Sequence, residues 1–210
     1  MISLTTLSAD NGNIERCAKA LAAGELVAFP TETVYGLGAD ATNDNAVASI
    51  FAAKNRPDFN PLIVHVTDRE AAARFVEFNS MADRLAKAFW PGALTLIVAQ
   101  RDTSPLSQAL NPGGNTVALR APGNDITLRL LRAFAGPLTA PSANLAGAAP
   151  PKTAEDVMEN MAHAIDAVLD GGPCPGNEST LLDLSADPPR LLRAGAISRR
   201  QIEDIVGPLE

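Results

Sequence analysis

Two neighbouring cations stand out in the segment KNRPDFNPLIVHV, residues 54–66, which joins a helical pattern to an apolar strand. Lys54 and Arg56 follow the helical pattern directly, and cations at a helix C-terminus also interact favourably with the helix dipole. This interaction alone would explain a single cation at that position, without any bound ligand. Pro57, however, favours an extended conformation of Arg56. The planar fork of Arg56 would therefore leave the helix axis, as expected of an arginine that binds phosphate.

Two further arginines occupy positions that suit an anion. In the segment TVALRAP, the alternation of a strand places Thr116, Ala118 and Arg120 on one face. An arginine on an otherwise apolar strand is costly unless an anion or an acidic side chain meets it. Arg193 stands just before Gly195 in RLLRAGAIS. These positions add two candidate anion ligands to the first pair.

Hydroxyl groups gather at three other segments. Thr33 lies in FPTETVYGLGAD, Ser142 in LTAPSANLAGAAP and Ser179 in GNESTLLDL. Glycines such as Gly36 and Gly38 permit close approach of the backbone to a ligand, and hydroxyls supply short neutral hydrogen bonds. The alternative for the first segment is a glycine-containing turn whose threonines bond within the turn. The sequence leaves both interpretations open.

The cations and hydroxyls together suit the binding of a polyphosphate and a small polar co-substrate. They suit acyl transfer through a serine less well, because no pairing of a nucleophile with a histidine is needed to explain them. The sequence contains no GxxxxGK[ST], GxGxxG, HExxH, CxxC or GxSxG pattern. Two histidines and two cysteines without metal-ligand spacing argue against a structural zinc site.

The composition excludes several classes of protein. With 46% apolar residues and a net charge of −7, the 210-residue chain reads as a globular protein that does not wrap nucleic acid through its bulk charge. A local basic patch remains open. No apolar stretch approaches the length of a membrane span, and the N-terminal residues do not resemble a signal peptide. We therefore expect a cytoplasmic protein without membrane contact.

The elements that must position these residues alternate between helices and strands. Helices are predicted at 13–23, 44–53, 69–78, 80–89, 125–135, 153–164 and after Ser198, where Thr153 with Asp156 forms a capping box. Strands are predicted at 25–29, 62–66, 93–100, 116–121, 137–141, 167–172, 179–185 and 190–195. Because the last strands follow one another without helices between them, we predict a twisted mixed sheet flanked by helices, an α/β fold in one domain.

Six segments also carry a family resemblance. In order, PTETVYGLG, KNRPDFNPLIVHV, TVALRAP, APSAN, ESTLLDL and PRLLRAGAIS resemble the signature blocks of the YrdC-like threonylcarbamoyl-AMP synthases. The resemblance covers residues from about 10 to 206, which would form the core of a domain spanning 1–210. It implies a mixed α/β sheet around a central, concave and positive cavity. Residues 207–210 are either a tail or the start of a linker to the second domain of longer members.

The resemblance implies an activity and a set of site residues. Such enzymes form threonylcarbamoyl-AMP and pyrophosphate from L-threonine, bicarbonate and ATP. By motif position, the threonine pocket would contain Thr33, His65, Arg120, Ala140 and Ser179. The ATP site would contain Arg56, Asn60, Thr116, Ser142 and Arg193, and Lys54 with Arg56 would be the catalytic pair at the phosphates. Pro150 stands where family members offer a serine hydroxyl, so only its backbone carbonyl remains for the nucleotide.

Cofactor and partners also follow from the resemblance. Mg²⁺ would accompany ATP, held mostly by phosphates and water, and no organic cofactor is expected. A separate transferase complex would carry the threonylcarbamoyl group to adenosine 37 of tRNA, so this chain would meet tRNA only indirectly.

Two other interpretations remain open. A positive cavity of this kind would also serve a module that binds double-stranded RNA without chemistry. The second interpretation is a carbamoyl-transfer relative that acts in metalloenzyme maturation, although the acylphosphatase and zinc-finger modules of such proteins are absent. Release of pyrophosphate from ATP that requires threonine separates all three.

Overall fold

The computed structural model describes residues 5–57 and 61–209. Its strands are β1 Thr5–Ser8, β2 Val27–Phe29, β3 Gly36–Asp40, β4 Ile63–His65, β5 Leu94–Ala99, β6 Thr116–Arg120, β7 Leu138–Thr139, β8 Ala167–Asp170, β9 Thr180–Asp183 and β10 Arg190–Arg193. Its α-helices are α1 Asn11–Ala22, α2 Asp44–Lys54, α3 Arg69–Ala72, α4 Ser80–Phe89, α5 Asp125–Phe134, α6 Ala154–Met161 and α7 Arg199–Val206.

The described strands form one sheet in the order β1-β8-β2-β3-β7-β4-β6-β5-β9-β10. The pairs β1/β8, β2/β8, β4/β6 and β5/β9 are parallel, and the other pairs are antiparallel. The predicted mixed α/β sheet is thereby confirmed. Strands that follow one another in the chain are often far apart in the sheet, so side chains from distant segments meet on its faces.

Side-chain caps fix the starts of the helices that follow the site segments. Asn43 accepts hydrogen bonds from the backbone amides of Asn45 and Ala46 at the start of α2. Thr153 forms the predicted capping box with Asp156, and Ser198 forms one with Gln201. Both predicted helix starts are confirmed. Within the described ranges, no helix combines the length and apolarity that crossing a bilayer requires.

Two clusters of apolar side chains cover the sheet. The larger contains Tyr35, Leu85 and Leu96, and the smaller contains Cys17 and other residues of α1, together with residues of α5. Cys17 is completely buried, as expected for a core residue. Burial of this apolar surface supplies the main favourable free energy of folding.

The structure differs from the predicted elements at two strands. β1 and β3 were not predicted, because β1 is short and mostly exposed and β3 contains two glycines. β3 pairs with β2, and a Cβ at Gly38 would lie 2.4 Å from Cε1 of Phe29. Gly38, the second glycine of the GLG run, thus fits the packing of the sheet because Phe29 occupies the space that a Cβ would need. The glycine-turn interpretation of this segment is incomplete, since a buried strand follows the threonines.

One predicted helix is much shorter than expected. The 69–78 prediction yields only α3, Arg69–Ala72. Phe75 and Val76 are buried, and Val76 forms an isolated bridge with Gln100 beside β5. Burial of these side chains against the sheet overrides the local helical pattern, since tertiary packing outweighs intrinsic propensity.

Candidate functional site

A cavity of about 120 Å³ opens between the ends of several strands. Eight of the residues predicted from the sequence line it: Thr33, Arg56, His65, Arg120, Ala140, Ser142, Ser179 and Arg193. They come from segments far apart in the chain. The fold therefore brings together most of the predicted site.

One wall of the cavity is set by the register of β4 and β6. These strands are parallel, and His65 is paired with Arg120 while Ile63 is paired with Ala118. Paired residues on adjacent strands point to the same face, so His65 and Arg120 both reach the cavity. Ala140 follows β7, and its amide donates a hydrogen bond to the carbonyl of Ile63 at 3.1 Å, a distance typical of sheet hydrogen bonds. The small side chain of Ala140 leaves room in front of this wall.

Arg120 is held by the threonine segment before β3. Its Nη1 donates a hydrogen bond to Oγ1 of Thr33 at 3.3 Å. The hydroxyls of Thr31 and Thr33 are 2.7 Å apart, and Thr31 Oγ1 donates to the carbonyl of Val34. Since Thr31 uses its proton on Val34, the Thr33 hydroxyl donates to Thr31 and accepts from Arg120. The direction of hydrogen bonding at Thr33 is thus fixed before any ligand arrives.

His65 contributes a neutral imidazole. The residue is 2% exposed, and its Nδ1 has no hydrogen-bond partner within the described residues. Burial lowers the pKa of His65 well below its usual range, and the Arg120 guanidinium lowers it further. Beside an arginine, the uncharged ring avoids adding a second positive charge to the same wall.

Arg193 and Ser179 form the opposite wall. Arg193 Nη2 donates to Ser179 Oγ at 2.9 Å, and its Nε donates to the carbonyl of Ser179 at 3.0 Å. Nη1 pairs with the Glu178 carboxylate at 2.9 Å. The Ser179 hydroxyl also lies 2.8 Å from that of the buried Thr95. Three donors of one guanidinium therefore hold the start of β9 in place.

The cations at the end of α2 take different positions. Arg56 lines the cavity, and its Nη2 donates to the carbonyl of Pro61 at 3.2 Å. Burial lowers the pKa of Arg56. Lys54 is 2% exposed and does not line the cavity; its ammonium donates to the carbonyls of Ser142 and Asn144. Lys54 thus contacts the backbone of the turn that presents Ser142, and its predicted phosphate contact stays a prediction.

The turn after β7 is braced on both sides. Ser142 forms an isolated antiparallel bridge with Gly36, and the amide of Ala146 donates to the carbonyl of Lys54 at 2.9 Å. The Asn144 side chain donates to the carbonyls of Leu145 and Ala148. All these contacts are made to the backbone of the turn, which leaves the Ser142 side chain beside the cavity.

Among the described residues, two predicted ligands of ATP do not line this cavity, and a third predicted ligand lies outside the described ranges. Thr116 begins β6, where Asn111 donates to its carbonyl at 3.0 Å, and it borders a separate surface pocket beside β5. Pro150 is exposed in the segment that precedes α6. Asn60 lies outside the described residues. The roles proposed for these three positions stay predictions.

The structure also adds residues that sequence reasoning did not assign to the site. Thr31 lines the cavity, and Glu32 and Glu178 pair with its arginines. All three belong to segments that the sequence singled out. An acidic residue beside threonines was the available signal for Glu32, but nothing in the sequence places it against Arg120.

No resident metal site is evident from the side chains. The described residues contain no group of three or more His, Cys, Asp or Glu side chains able to hold an ion. The cavity instead offers guanidinium groups, which bind anionic oxygens directly.

Comparison with known proteins gives consistent results. The Sua5/YciO/YrdC family model, described as "Telomere recombination", matches residues 19–195. A threonylcarbamoyl-AMP synthase of Bacillus subtilis is 45% identical over 97% of this chain and 59% of its own length. One of Pyrococcus abyssi is 44% identical over 89% of this chain and 55% of its own length. The chain therefore spans little more than half the length of these relatives.

A solved structure shares the fold closely. The crystal structure of P. abyssi Sua5 complexed with L-threonine superposes with a TM-score of 0.94 at 40% identity, covering 100% of this chain and 62% of that chain. The agreement extends across the whole sheet, including the strands that carry the cavity residues.

Proposed function

The chain belongs to the Sua5/YciO/YrdC family, and we propose that it is an L-threonylcarbamoyladenylate synthase. In this reaction L-threonine and bicarbonate form a carbamate with loss of water. A carbamate oxygen then attacks the α-phosphorus of ATP, the bond from that phosphorus to its bridging oxygen breaks, and pyrophosphate leaves. The enzyme is accordingly a nucleotidyltransferase that passes an adenylyl group to threonine carbamate.

The observation that supports this proposal most directly is the convergence of three guanidinium groups with several hydroxyls around one cavity. Arg56, Arg120 and Arg193 line it together with Thr33, Ser142 and Ser179. Threonine carries a carboxylate, its carbamate is anionic, and ATP carries several negative charges, so several fixed cations are needed. Positioning of reactants and neutralisation of charge supply large parts of the rate enhancement in such reactions.

We assign the residues of the cavity to the two substrates. Thr33, His65, Arg120, Ala140 and Ser179 would surround threonine. Arg56, Ser142 and Arg193 would contact ATP, together with Asn60, Thr116 and the carbonyl of Pro150. Mg²⁺ would enter with ATP and be held by phosphate oxygens and water, where it neutralises charge on the phosphates.

The next reaction step, transfer of the threonylcarbamoyl group, is assigned to other proteins. A mixed carbamic–phosphoric anhydride is reactive toward water, so rapid transfer to an acceptor is expected. We propose that a separate transferase complex consumes it to modify adenosine 37 of tRNA, and that the reaction takes place in the cytoplasm, where those partners occur.

The RNA-binding alternative is less well supported. The relatives named above are named as enzymes, and P. abyssi Sua5 was solved with L-threonine. An RNA-binding role predicts no dependence of any ATP chemistry on threonine.

Measurement of pyrophosphate release tests the proposed function. Purified protein with ATP and Mg²⁺ is expected to release pyrophosphate only when L-threonine and bicarbonate are both present. Equal release without threonine would overturn the assigned reaction.

A further inference from the structure

Glu32 lies behind the cavity wall that carries Arg120. Its carboxylate Oε1 is 3.6 Å from Nε of Arg120, and the two side chains are 18% and 6% exposed. Glu32 is not among the residues that line the cavity, although its neighbours Thr31 and Thr33 are. It therefore contacts the site from the protein side, through Arg120.

The two groups compensate each other's burial. Both carboxylate oxygens of Glu32 and the Nε of Arg120 are buried, and in the described residues none of the three has a hydrogen-bond partner. Burying a charge is costly unless an opposite charge meets it. Burial lowers the pKa of Arg120, and the Glu32 charge opposes that shift. Glu32 thus offsets the cost of burying the Arg120 cation, to which the nearby Arg193 adds.

The same contact sets the orientation of the Arg120 fork. Nε faces Glu32, and Nη1 donates to Thr33, whose hydroxyl is itself fixed by Thr31. A guanidinium is planar and rigid, so two nitrogens held in place define the direction of the whole group. The part of the fork that faces the cavity is therefore aimed before a ligand binds.

We propose that Glu32 is a positioning residue that compensates the buried charge of Arg120 and keeps its fork aimed at the carboxylate of the amino acid substrate. The identity of that substrate rests on the proposed function. Glu32 itself would not touch threonine, and it would not affect ATP, whose proposed contacts lie elsewhere. Removal of the Glu32 charge should therefore weaken the binding of threonine and leave the binding of ATP unchanged.

The test substitutes Glu32→Gln, which keeps the shape of the side chain and removes its charge. Calorimetric titration with L-threonine in the absence of ATP is expected to show at least a tenfold rise in Kd, while the Kd for Mg–ATP stays within about twofold. In steady-state kinetics the KM for threonine should likewise rise, and the KM for ATP should stay nearly unchanged. Glu159→Gln changes an exposed glutamate of α6 and serves as the matched control.

The unfolding free energy of each variant separates positioning from folding. If the role of Glu32 were purely structural, Glu32→Gln would lower the unfolding free energy and weaken the binding of both substrates together. Unchanged or tighter threonine binding in Glu32→Gln, or equal loss for threonine and ATP, would overturn the proposal.

A double-mutant cycle tests whether Glu32 acts through Arg120. Arg120→Lys keeps a positive charge but lacks the planar fork, so Glu32→Gln should cost much less in that background. An undiminished cost there would mean that Glu32 contacts the ligand itself, contrary to the proposal. Wild-type protein that binds threonine but releases no pyrophosphate would refute the proposed function alone. Absence of threonine binding in the wild type would refute both.

Discussion

The ammonium group of Lys54 donates a hydrogen bond to the carbonyl oxygen of Ser142, 88 positions further along the chain. A second bond reaches the carbonyl of Asn144. The contact joins the end of α2, which presents Arg56, to the turn that presents Ser142. The separation of these two cavity residues is therefore set by a buried side chain that does not itself line the cavity.

The Lys54 contact predicts a specific dependence of stability on pH. Burial, and to a lesser extent Arg56, lower the pKa of Lys54 to about 8 from 10.5. Between these values the unfolded chain binds more protons than the folded one, so this group's contribution to stability rises with pH. Compared with Lys54→Met, the wild type should gain stability from pH 8 to 10 in denaturant titrations. The exposed Lys19→Met is the control, and parallel curves for wild type and Lys54→Met would contradict the assignment.

Substitution of Arg56 should impair catalysis without unfolding the protein. A hydrogen bond to a charged group is worth about 1.5–3 kcal/mol, so Arg56→Ala should lower kcat/KM about 10- to 150-fold. Arg84→Ala, in an exposed part of α4, should leave the rate unchanged. Near-normal turnover by well-folded Arg56→Ala would return Arg56 to the role of a cation at the end of a helix.

The amino acid pocket should discriminate by the hydroxyl group more strongly than by the methyl group. Serine keeps the hydroxyl and loses one methyl, which costs only about 1–3 kcal/mol. Valine keeps the size but cannot form the hydrogen bonds that the threonine hydroxyl would make in the pocket. In the pyrophosphate assay serine should be a poor substrate and valine a much poorer one. Valine used as well as threonine would refute this pocket assignment.

Gly195 should be essential for the wall formed by Ser179 and Arg193. A Cβ at this position would lie 2.5 Å from backbone atoms of Glu178, Ser179 and Thr180. Gly195→Ala must displace that backbone, and we expect a loss of about 1–3 kcal/mol in stability together with lost activity. Gly12→Ala in α1 meets no atom closer than 3.4 Å and should be neutral or stabilising. Full activity of Gly195→Ala would show that the wall tolerates displacement.

The protein alone should leave tRNA unmodified. Recognition of an anticodon loop draws on clustered cations and aromatic stacking, whereas this chain has a net charge of −7 and 4% aromatic residues. Incubation with tRNA, ATP, bicarbonate and labelled threonine should fix no label on tRNA until a transferase complex is added. Label fixed without any partner would show that this chain also performs the transfer.

Local signals in the sequence predicted most elements of the fold. The capping residues Thr153 and Ser198 mark helix starts that depend on neighbouring residues alone. The alternation around Arg120 likewise predicted the strand that carries it. Such signals succeed because caps and strand alternation involve residues close together in the chain.

Contacts between distant segments were not predictable in this way. The burial of Val76 beside Gln100 ends the helical pattern after α3, and no residue near Val76 announces it. The Glu32–Arg120 contact depends on how β3, β7, β4 and β6 are ordered in the sheet. The bonds of Lys54 to the Ser142 turn are of the same kind. The sequence marked Lys54 and Arg120 as unusual polar residues, but only the strand order shows what they contact.

Because β10 lies at an edge of the sheet, the part of the cavity wall that carries Arg193 should open locally more easily than the part that carries His65 and Arg120. Among the described strands β10 is last in the sheet and pairs only with β9, and Leu192 on it is 53% exposed. His65 and Arg120 instead lie on interior strands with neighbours on both sides. Local opening costs least where few buried contacts must break. Fraying of the sheet edge would thus displace Arg193 at a lower cost in free energy than any displacement of His65 or Arg120.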